Sequence, residues 1–377
     1  MQIDLMRKID TWVGVPSTYL CSLFTQSQRS LWGEKIEFKK QDSILVTKFM
    51  GLGSTVLASP FLSALEEEKH SLTIVTFKES EEFLRLQGMQ CEILTLRKSG
   101  LHFFYDAIKL ILQLRKRKFK LSIDLEPSAN FTALLHFAIG ARYRMGFLAG
   151  KLKRERLFTH LISYSSEKHL IDNYDSFAKR LEIAVKSKKH RSQKRKEKIL
   201  ININASELSL HRLWDEKKWM TLTENLLKAY PKHSLYFTGI KDEAKRIKKM
   251  TTLLRQKTGV KERVECLIDL DLKSLAVKVS EAEMVVSVDS FMLHFSEWCG
   301  TPVVGLYGPE SPLFTGPKLS GSESCYVGLA CSPCLSVLSQ KRTLCNDNQC
   351  MKQLTVATVF KNCIKVMERE NAKSKAA

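Results

Sequence analysis

No stretch of the 377-residue sequence approaches the ~18 consecutive apolar residues needed to span a bilayer, which excludes a membrane-spanning transporter. No tandem repeat of ~20–50 residues is visible, so a solenoid or propeller is excluded as well. The first residues lack the profile of a secretory leader. Asp4, Arg7, Lys8 and Asp10 interrupt any apolar core, and no small-residue cleavage site follows. A reducing cytoplasm is the expected compartment. The chain is also short of acid: 60 Lys and Arg stand against 40 Asp and Glu, a formal net charge of +20. The expected partner is therefore anionic, whether nucleic acid, a phosphorylated small molecule or a membrane face. What is present excludes wholesale disorder, with 44% hydrophobic and 27% charged residues. This length suggests two domains, each able to bury a core without a disulfide scaffold.

Charge marks the boundary between them. In the run Lys186–Lys198, eight of thirteen residues are Lys or Arg and only Glu197 opposes them. Such a run reads as a solvated linker, with acidic lipid or phosphate binding as the alternative. The expected divisions are an extension over 1–40, a first Rossmann-like domain over 41–185 and the linker over 186–198. A second domain over 199–350 and a terminal helix and tail over 351–377 complete them. In the extension, Ile3, Met6, Ile9, Trp12 and Val13 beside Arg7 and Lys8 suit an amphipathic surface helix. It serves either membrane contact or ordinary packing.

Apolar strand-like runs alternate with helical patterns in both halves. Ile44–Lys48, Leu72–Phe77, Glu92–Leu96 and Leu121–Asp124 read as strands, separated by helical stretches to Glu68, over Glu79–Gln87 and over Phe103–Arg117. Further on, Ile199–Ile203, Ser234–Thr238, Met284–Val288 and Pro302–Leu306 read as strands. Helices are expected over Glu216–Ala229, Ala244–Gln256, Ser290–Cys299 and Met351–Arg369. This alternation predicts an α/β protein of two Rossmann-like halves with a cleft between them, suited to a nucleotide.

The most informative stretch runs from Val286 to Pro309. An apolar strand ends in Ser-Val-Asp289-Ser290 and a helix begins at once, so Asp289 or Ser290 is expected to cap it. The free N–H groups of such a terminus suit a diphosphate. His294 follows one turn later on the same side. The next strand ends in the turn Gly308-Pro309, beside the same helix terminus. A capping Asp-Ser is more often structural than functional, but two adjacent loops at strand carboxyl ends form the usual ligand crevice.

The segment SVDSFMLHFSEWCGTPVVGLYGP resembles the signature of glycosyltransferase family 9, the bacterial lipopolysaccharide heptosyltransferases. Lys48-Phe-Met-Gly-Leu-Gly53-Ser54 is similar to that family's amino-terminal turn. Asn202–Ser206, including Asn204, with Arg212, Trp214 and Trp219, is similar to the start of its second domain. Asp124-Leu-Glu126 and Arg144–Phe147 also fit. The resemblance implies a GT-B fold: two facing Rossmann-like domains, acceptor in the first and donor in the second. It implies inverting transfer from a nucleoside-diphosphate sugar, typically ADP-heptose, onto a lipopolysaccharide core sugar. Arg212 matches the family's diphosphate-contacting lysine, keeping the charge but changing its geometry. Ser54 stands where the family carries its general base, an aspartate, and a serine hydroxyl cannot serve as one unaided at neutral pH. Either another carboxylate takes the proton, with Glu126 the first candidate and Asp124 the second, or the chain is a silent sugar-nucleotide or glycolipid binder on the same fold. Phe291 replaces a glycine and would narrow the pocket or stack on the donor. Glu310-Ser311 replaces a Thr-Asp pair.

Six of the ten cysteines fall between Cys325 and Cys363. Cys331, Cys334, Cys345 and Cys350 have C-x2-C-x10-C-x4-C spacing, which suits a tetrahedral zinc or iron site. A reduced structural cluster and disulfides are the alternatives. Any such metal would brace the loop after the donor site, since four thiolates leave no open position, and no cofactor is expected for the transfer itself. The expected partners are the donor, a lipid-linked glycan acceptor and the anionic inner face of the bacterial inner membrane. Nucleic acid is not expected, because the basic residues are dispersed and no nucleic-acid module is recognisable.

Overall fold

The computed structural model describes residues 7–25, 35–37, 39, 42–68, 70–98, 100–150, 153–186, 195–205, 210–338 and 342–376. The chain divides into two compact units, Met1–Ser187 and Lys188–Ala377.

The first unit is built on strands β1 (Ser43–Lys48), β2 (Ser71–Thr76), β3 (Glu92–Thr95), β4 (Leu121–Asp124), β5 (Tyr143–Leu148) and β6 (His160–Ser163). They form one parallel sheet in the order β3-β2-β1-β4-β5-β6. Helix α1 (Val15–Leu23) precedes the sheet. The others are α2 (Leu52–Glu67), α3 (Lys78–Leu86), α4 (Gly100–Arg115), α5 (Asn130–Ile139) and α6 (Leu170–Arg180). Helices cover the sheet, so its strands are continuous apolar runs rather than alternating ones: all of β1 but its first residue is buried. One core cluster joins Leu45, Val75 and Phe77 of the sheet region to Phe103, Leu110 and Leu114 of α4 and to Leu135 and Ile139 of α5.

The second unit repeats the plan. Its strands are β7 (Lys198–Asn202), β8 (Ser234–Gly239), β9 (Val264–Ile268), β10 (Met284–Val288), β11 (Val303–Tyr307) and β12 (Glu323–Tyr326). They pair in parallel in the order β12-β11-β10-β7-β8-β9. Helices α7 (Glu216–Ala229), α8 (Ala244–Thr258), α9 (Leu272–Ser280) and α10 (Phe291–Trp298) connect them. Then come α11 (Pro312–Thr315), α12 (Gln349–Gln353) and α13 (Val356–Ala376). The single terminal helix expected from Met351 is thus two, broken at Leu354–Thr355. The break lets Leu354 offer its carbonyl to the indole of Trp214 at 3.0 Å. Val359, Cys363, Val366 and Met367 of α13 belong to the core of this unit rather than to a tail.

In each sheet the strand order reverses once, between β1 and β4 and between β7 and β10. The crevice at the carboxyl ends of such a pair is where open α/β sheets hold ligands. Lys48 and Asp124 end the first pair, and Asn202 and Val288 the second.

Two expected boundaries shift. Residues 187–194 of the basic run lie outside the described residues, but its last four are not linker. Arg195 donates to Gly300 O at 2.9 Å, and Lys196 and Lys198 both pair with Glu281 as the chain enters β7. In the extension, Ile3 and Met6 lie outside the described residues, while 7–25 is part of the first unit. Asp10 accepts from the backbone N–H groups of Asn130 (3.1 Å) and Phe131 (2.8 Å), which caps α5. Gly14 passes so close that a Cβ there would lie 2.9 Å from Asn130 Cβ.

Candidate active site

In the first unit, the turn from β1 to α2 is organised around one carboxylate. Glu126 Oε1 accepts from Lys48 Nζ, Phe49 N and Met50 N, each at 2.8 Å. Lys48 is buried and also donates to Met50 O at 2.6 Å, so its ammonium is folded into the turn. No hydrogen bond to Glu126 Oε2 is made among the described residues. The glycine the turn requires is Gly51, at φ 78, a conformation other residues rarely adopt; Gly53 lies in the first turn of α2. Ser54 Oγ lies 2.6 Å from Met50 O and 2.8 Å from Gly51 O. Its hydroxyl is also bonded to the phenol of Tyr174, which burial holds well above the usual tyrosine range.

Asp124, the second candidate base, is a core group. Its carboxylate has no exposed surface and is enclosed by Thr47 Oγ1 (3.1 Å), Thr132 Oγ1 (2.7 Å), Glu126 N (3.0 Å) and the Arg154 guanidinium. A base must touch the hydroxyl it deprotonates, and this cage leaves no approach. Arg154 is itself wholly buried and ties down the loop after β4 through Ala129 O and Pro127 O, both at 3.0 Å.

Burial pushes Asp124 up to about 6, against the pull of Arg154, and pushes His136 down to about 3, helped by the positive charges of Arg154 and Arg144. His136 Nε2 lies 2.9 Å from Thr47 Oγ1 in the same network. The two act oppositely on stability. Folded His136 stays neutral while the unfolded chain gains a proton below 6.5, so its contribution is lost as pH falls from there towards 3. Asp124 holds its proton more tightly when folded, so its contribution is lost as pH rises between 3.8 and 6. Between pH 7 and 4 the two windows overlap and largely cancel, so the parent melting temperature is expected to change little there, while His136→Asn, left with the Asp124 contribution alone, is expected to gain stability as pH falls. Parallel profiles would remove His136 as the acid-sensitive group.

In the second unit, Asp289, Ser290, Arg212, Asn202 and Asn204 converge where β7 meets β10. Asn202 Nδ2 lies within 3.0 Å of Asn204 O, Ser287 Oγ and Ser290 Oγ, and so ties the two strand ends together. The expected cap is not made: neither Asp289 nor Ser290 bonds a first-turn amide of α10 through its side chain. Ser290 turns towards Asn202 instead, which leaves the positive end of α10 without a side-chain cap. Arg212 lies against this point. Its Nη1 donates to Asp289 O at 3.3 Å, its Nε lies 3.3 Å from Asp289 Oδ2, and Nη2 pairs with Glu310. Glu310, at the departure from the Thr-Asp pair, is thus the residue that holds Arg212 from the other side. His294 is buried one turn into α10, and Asn204 Nδ2 donates to Thr238 O at 3.2 Å. Ser206 lies outside the described residues. The ring of Phe291 packs on Phe295, centroids 4.9 Å apart.

The cysteine segment braces both loops of this cluster. Pro309 O accepts from Cys334 N (3.0 Å) and Leu335 N (2.9 Å), and Ser332 donates to Gly308 O. A Cβ on Gly308 would collide with the end of the Met351 side chain and lie 3.0 Å from Cys350 Sγ, so the glycine lets Met351 and Cys350 pack directly on this loop. On the other side, Cys345 O bonds His211 at 2.8 Å and Asn348 Nδ2 donates to His211 O at 2.9 Å, next to Arg212. Among the described residues no group of three or more His, Cys, Asp or Glu is arranged to hold a metal ion. The expected four-thiolate site is therefore not assembled here: Cys350 is packed into the core while Cys331 is exposed. The thiols are still near neighbours. Burial raises the Cys350 pKa, and the charges of Cys334, Cys345 and Cys331 add to that.

The family model for glycosyltransferase family 9 (heptosyltransferase) matches residues 107–344. The chain belongs to glycosyltransferase family 9. Both the α6-to-β7 crossing and the Asp289–Pro309 block fall inside the matched span. Solved structures agree on the fold. A family 9 glycosyl transferase from Veillonella parvula superposes with a TM-score of 0.71 at 17% identity, covering 89% of this chain and 100% of that one. The ADP-heptose lipopolysaccharide heptosyltransferase II of Escherichia coli superposes with a TM-score of 0.68 at 14% identity, covering 88% and 100%. TibC of enterotoxigenic E. coli, an iron-containing heptosyltransferase solved with ADP-D-β-D-heptose, gives 0.56 at 12% identity over 89% and 79%. No curated protein matches the sequence. The α/β, GT-B fold class is that of these structures, and this family 9 protein is a glycosyltransferase. No helix among the described residues is long and apolar enough to cross a membrane.

Proposed function

We propose that this family 9 glycosyltransferase moves heptose from ADP-heptose, with inversion, onto a lipid-linked lipopolysaccharide-core acceptor, working from the cytoplasm at the inner membrane. The observation that carries the reading is the α10 amino terminus, without a side-chain cap and adjoining Arg212 at the switch point of the second sheet. The ADP-heptose donors of heptosyltransferase II and TibC support the choice of nucleotide sugar. In the reaction the acceptor oxygen bonds to the anomeric carbon, and the bond from that carbon to the diphosphate breaks. The electron pair leaves with ADP, and the acceptor proton passes to a base. The α10 amides and Arg212 receive the charge that develops on the diphosphate. Asp289 and Glu310 hold Arg212 in place, and Gly308-Pro309 forms the adjoining wall. Asn204, Ser206, Ser290 and His294 are assigned to the donor. Gly53 and Ser54 are assigned to the acceptor, with Glu126 as base through Oε2; Lys48, expected at the acceptor, is instead buried and holds Glu126 in the turn.

A thermal-shift comparison of ADP-, UDP- and GDP-sugars, followed by nucleotide release in the presence of a lipopolysaccharide-core acceptor, tests this. At a hundred times its dissociation constant the true donor adds about 2.7 kcal/mol. Stabilisation by ADP-heptose without any transfer would instead favour the silent binder suggested by Ser54. Arg212→Met is expected to weaken donor binding about tenfold to a hundredfold, the worth of a charge-assisted contact, with Arg212→Lys intermediate. Equal dissociation constants for all three would detach Arg212 from the diphosphate.

The spacing of Cys331, Cys334, Cys345 and Cys350, and the iron of TibC, favour a thiophilic metal, zinc or iron, at this segment. Bound there, it would add rigidity to the Pro309 and His211 contacts. Protein purified without added metal is expected to carry about one equivalent; a metal-free preparation with an unchanged melting temperature would dismiss it.

A further inference from the structure

We infer that the outer face of the amino-terminal helical segment, together with the outer stripe of α4, is a docking surface for an anionic lipid bilayer. The inference places the membrane part of the proposed function on named residues. It does not depend on the transfer chemistry.

The segment 7–25 is anchored on its inner side, by Asp10 on the α5 terminus and by the close passage of Gly14. Its outer side is apolar and aromatic: Trp12 is 79% exposed and Phe24 76%, with Val13, Tyr19, Leu20 and Leu23 exposed beside them. On α4, Phe104, Tyr105, Ile108 and Leu112 are exposed at helical spacing and so share one stripe. Both elements pack against α5, none of whose residues is exposed, so they belong to one region of the first unit. Scattered surface apolar residues need no explanation, but two stripes of this size in one region do.

Charge selects the occupant. Lys8, Lys153 and Arg156 are exposed around the first stripe, and Lys153 Nζ lies 6.0 Å from the Tyr19 ring centroid. Lys109, Arg115 and Lys116 are exposed on α4. Among the described residues of 7–25, 153–157 and α4 no exposed acid offsets them: Asp10 is spent on α5, Glu155 accepts from Ala149 N and Gly150 N, and Asp106 is paired with Arg97 at 2.7 Å. Aromatic and aliphatic side chains with a lysine and arginine rim are the composition of an interfacial helix, which seats its apolar face at the acyl boundary and its cations among anionic headgroups. A second copy of the chain fits poorly, since it would set two such rims against each other in a protein of net charge +20.

Flotation of the full chain with phosphatidylcholine vesicles and with vesicles containing phosphatidylglycerol tests the surface, without donor or acceptor. Binding is expected on the anionic vesicles and to fall with added salt. The triple variant Trp12→Ser, Leu20→Ser, Phe24→Ser should lose about tenfold or more, since one large apolar contact alone is worth about that factor. Ile108→Ser with Leu112→Ser should also weaken binding. Because all five side chains are exposed, melting temperatures should not change, and donor binding by thermal shift should match the parent. Equal binding to neutral vesicles, parent-like binding by both variants, or a dimer that the triple variant dissociates with no vesicle binding, would each overturn the inference.

Discussion

Arg154→Met is expected to destabilise the first unit by about 3–5 kcal/mol, the usual cost of stranding one member of a buried ion pair. Both Arg154 and Asp124 have no exposed surface, so water cannot replace the lost partner. The substitution also removes the bonds to Ala129 O and Pro127 O and the guanidinium over the Phe158 ring at 5.2 Å. For a unit of this size the fall in melting temperature is roughly 10 °C. The sign with pH is specific. Arg154 pulls the Asp124 pKa down, so without it Asp124 keeps its proton to higher pH, and the deficit should be smaller at pH 5 than at pH 8. Adding Asp124→Asn should recover part of the loss by removing the stranded charge. A deficit independent of pH and unaffected by Asp124→Asn would mean that packing, and not the ion pair, is what Arg154 supplies.

Glu126→Gln is expected to lower turnover about 10²–10⁴-fold, the range for loss of a general base, while donor affinity stays within a factor of two or so. The substitution removes the proton acceptor but keeps the shape. The amide oxygen can still accept from Phe49 and Met50, whose N–H groups point at Oε1. Lys48 loses its counter-charge, so a fall in melting temperature is expected alongside. Glu126→Asp separates the two effects: it restores a carboxylate but withdraws it from the turn. Stability should then suffer while the pH–rate profile keeps an acidic limb. Parent-like turnover in Glu126→Gln would relieve Glu126 of the proton. Because Ser54 cannot take it, the reading would then move towards a protein that binds sugar nucleotides without transferring.

Much of the fold was legible because parallel sheets covered by helices are written as long apolar runs. β4, β10 and α7 lie where hydrophobic periodicity puts them. Of the elements it did not single out, α6 carries a clear amphipathic pattern and β5 a buried, mostly apolar run, while others are short or weakly patterned. β6 has only four residues and β9 is half-buried along most of its length, while the apolar α5 is hidden on every side. Without a contrast between faces, periodicity has nothing to report. The Asp289–Pro309 block could be read locally because a strand end, a helix start and a Gly-Pro turn are contiguous in the chain.

The sequence by itself therefore determined the α/β class, the two-unit plan and the family resemblance. All of these depend on composition or on residues close in sequence. Only tertiary structure decided what individual side chains do. Glu126 meets Lys48 across 78 positions, Arg154 meets Asp124 across 30, and Arg212 meets Glu310 across 98. Whether a charge is buried, paired or open to a ligand is set by neighbours that arrive from other strands, and no local pattern encodes them. The same holds for the shortage of acid with which the sequence opens. Twenty surplus positive charges point to an anionic partner, but which of them are spent inside the protein and which rim an apolar face is a matter of packing.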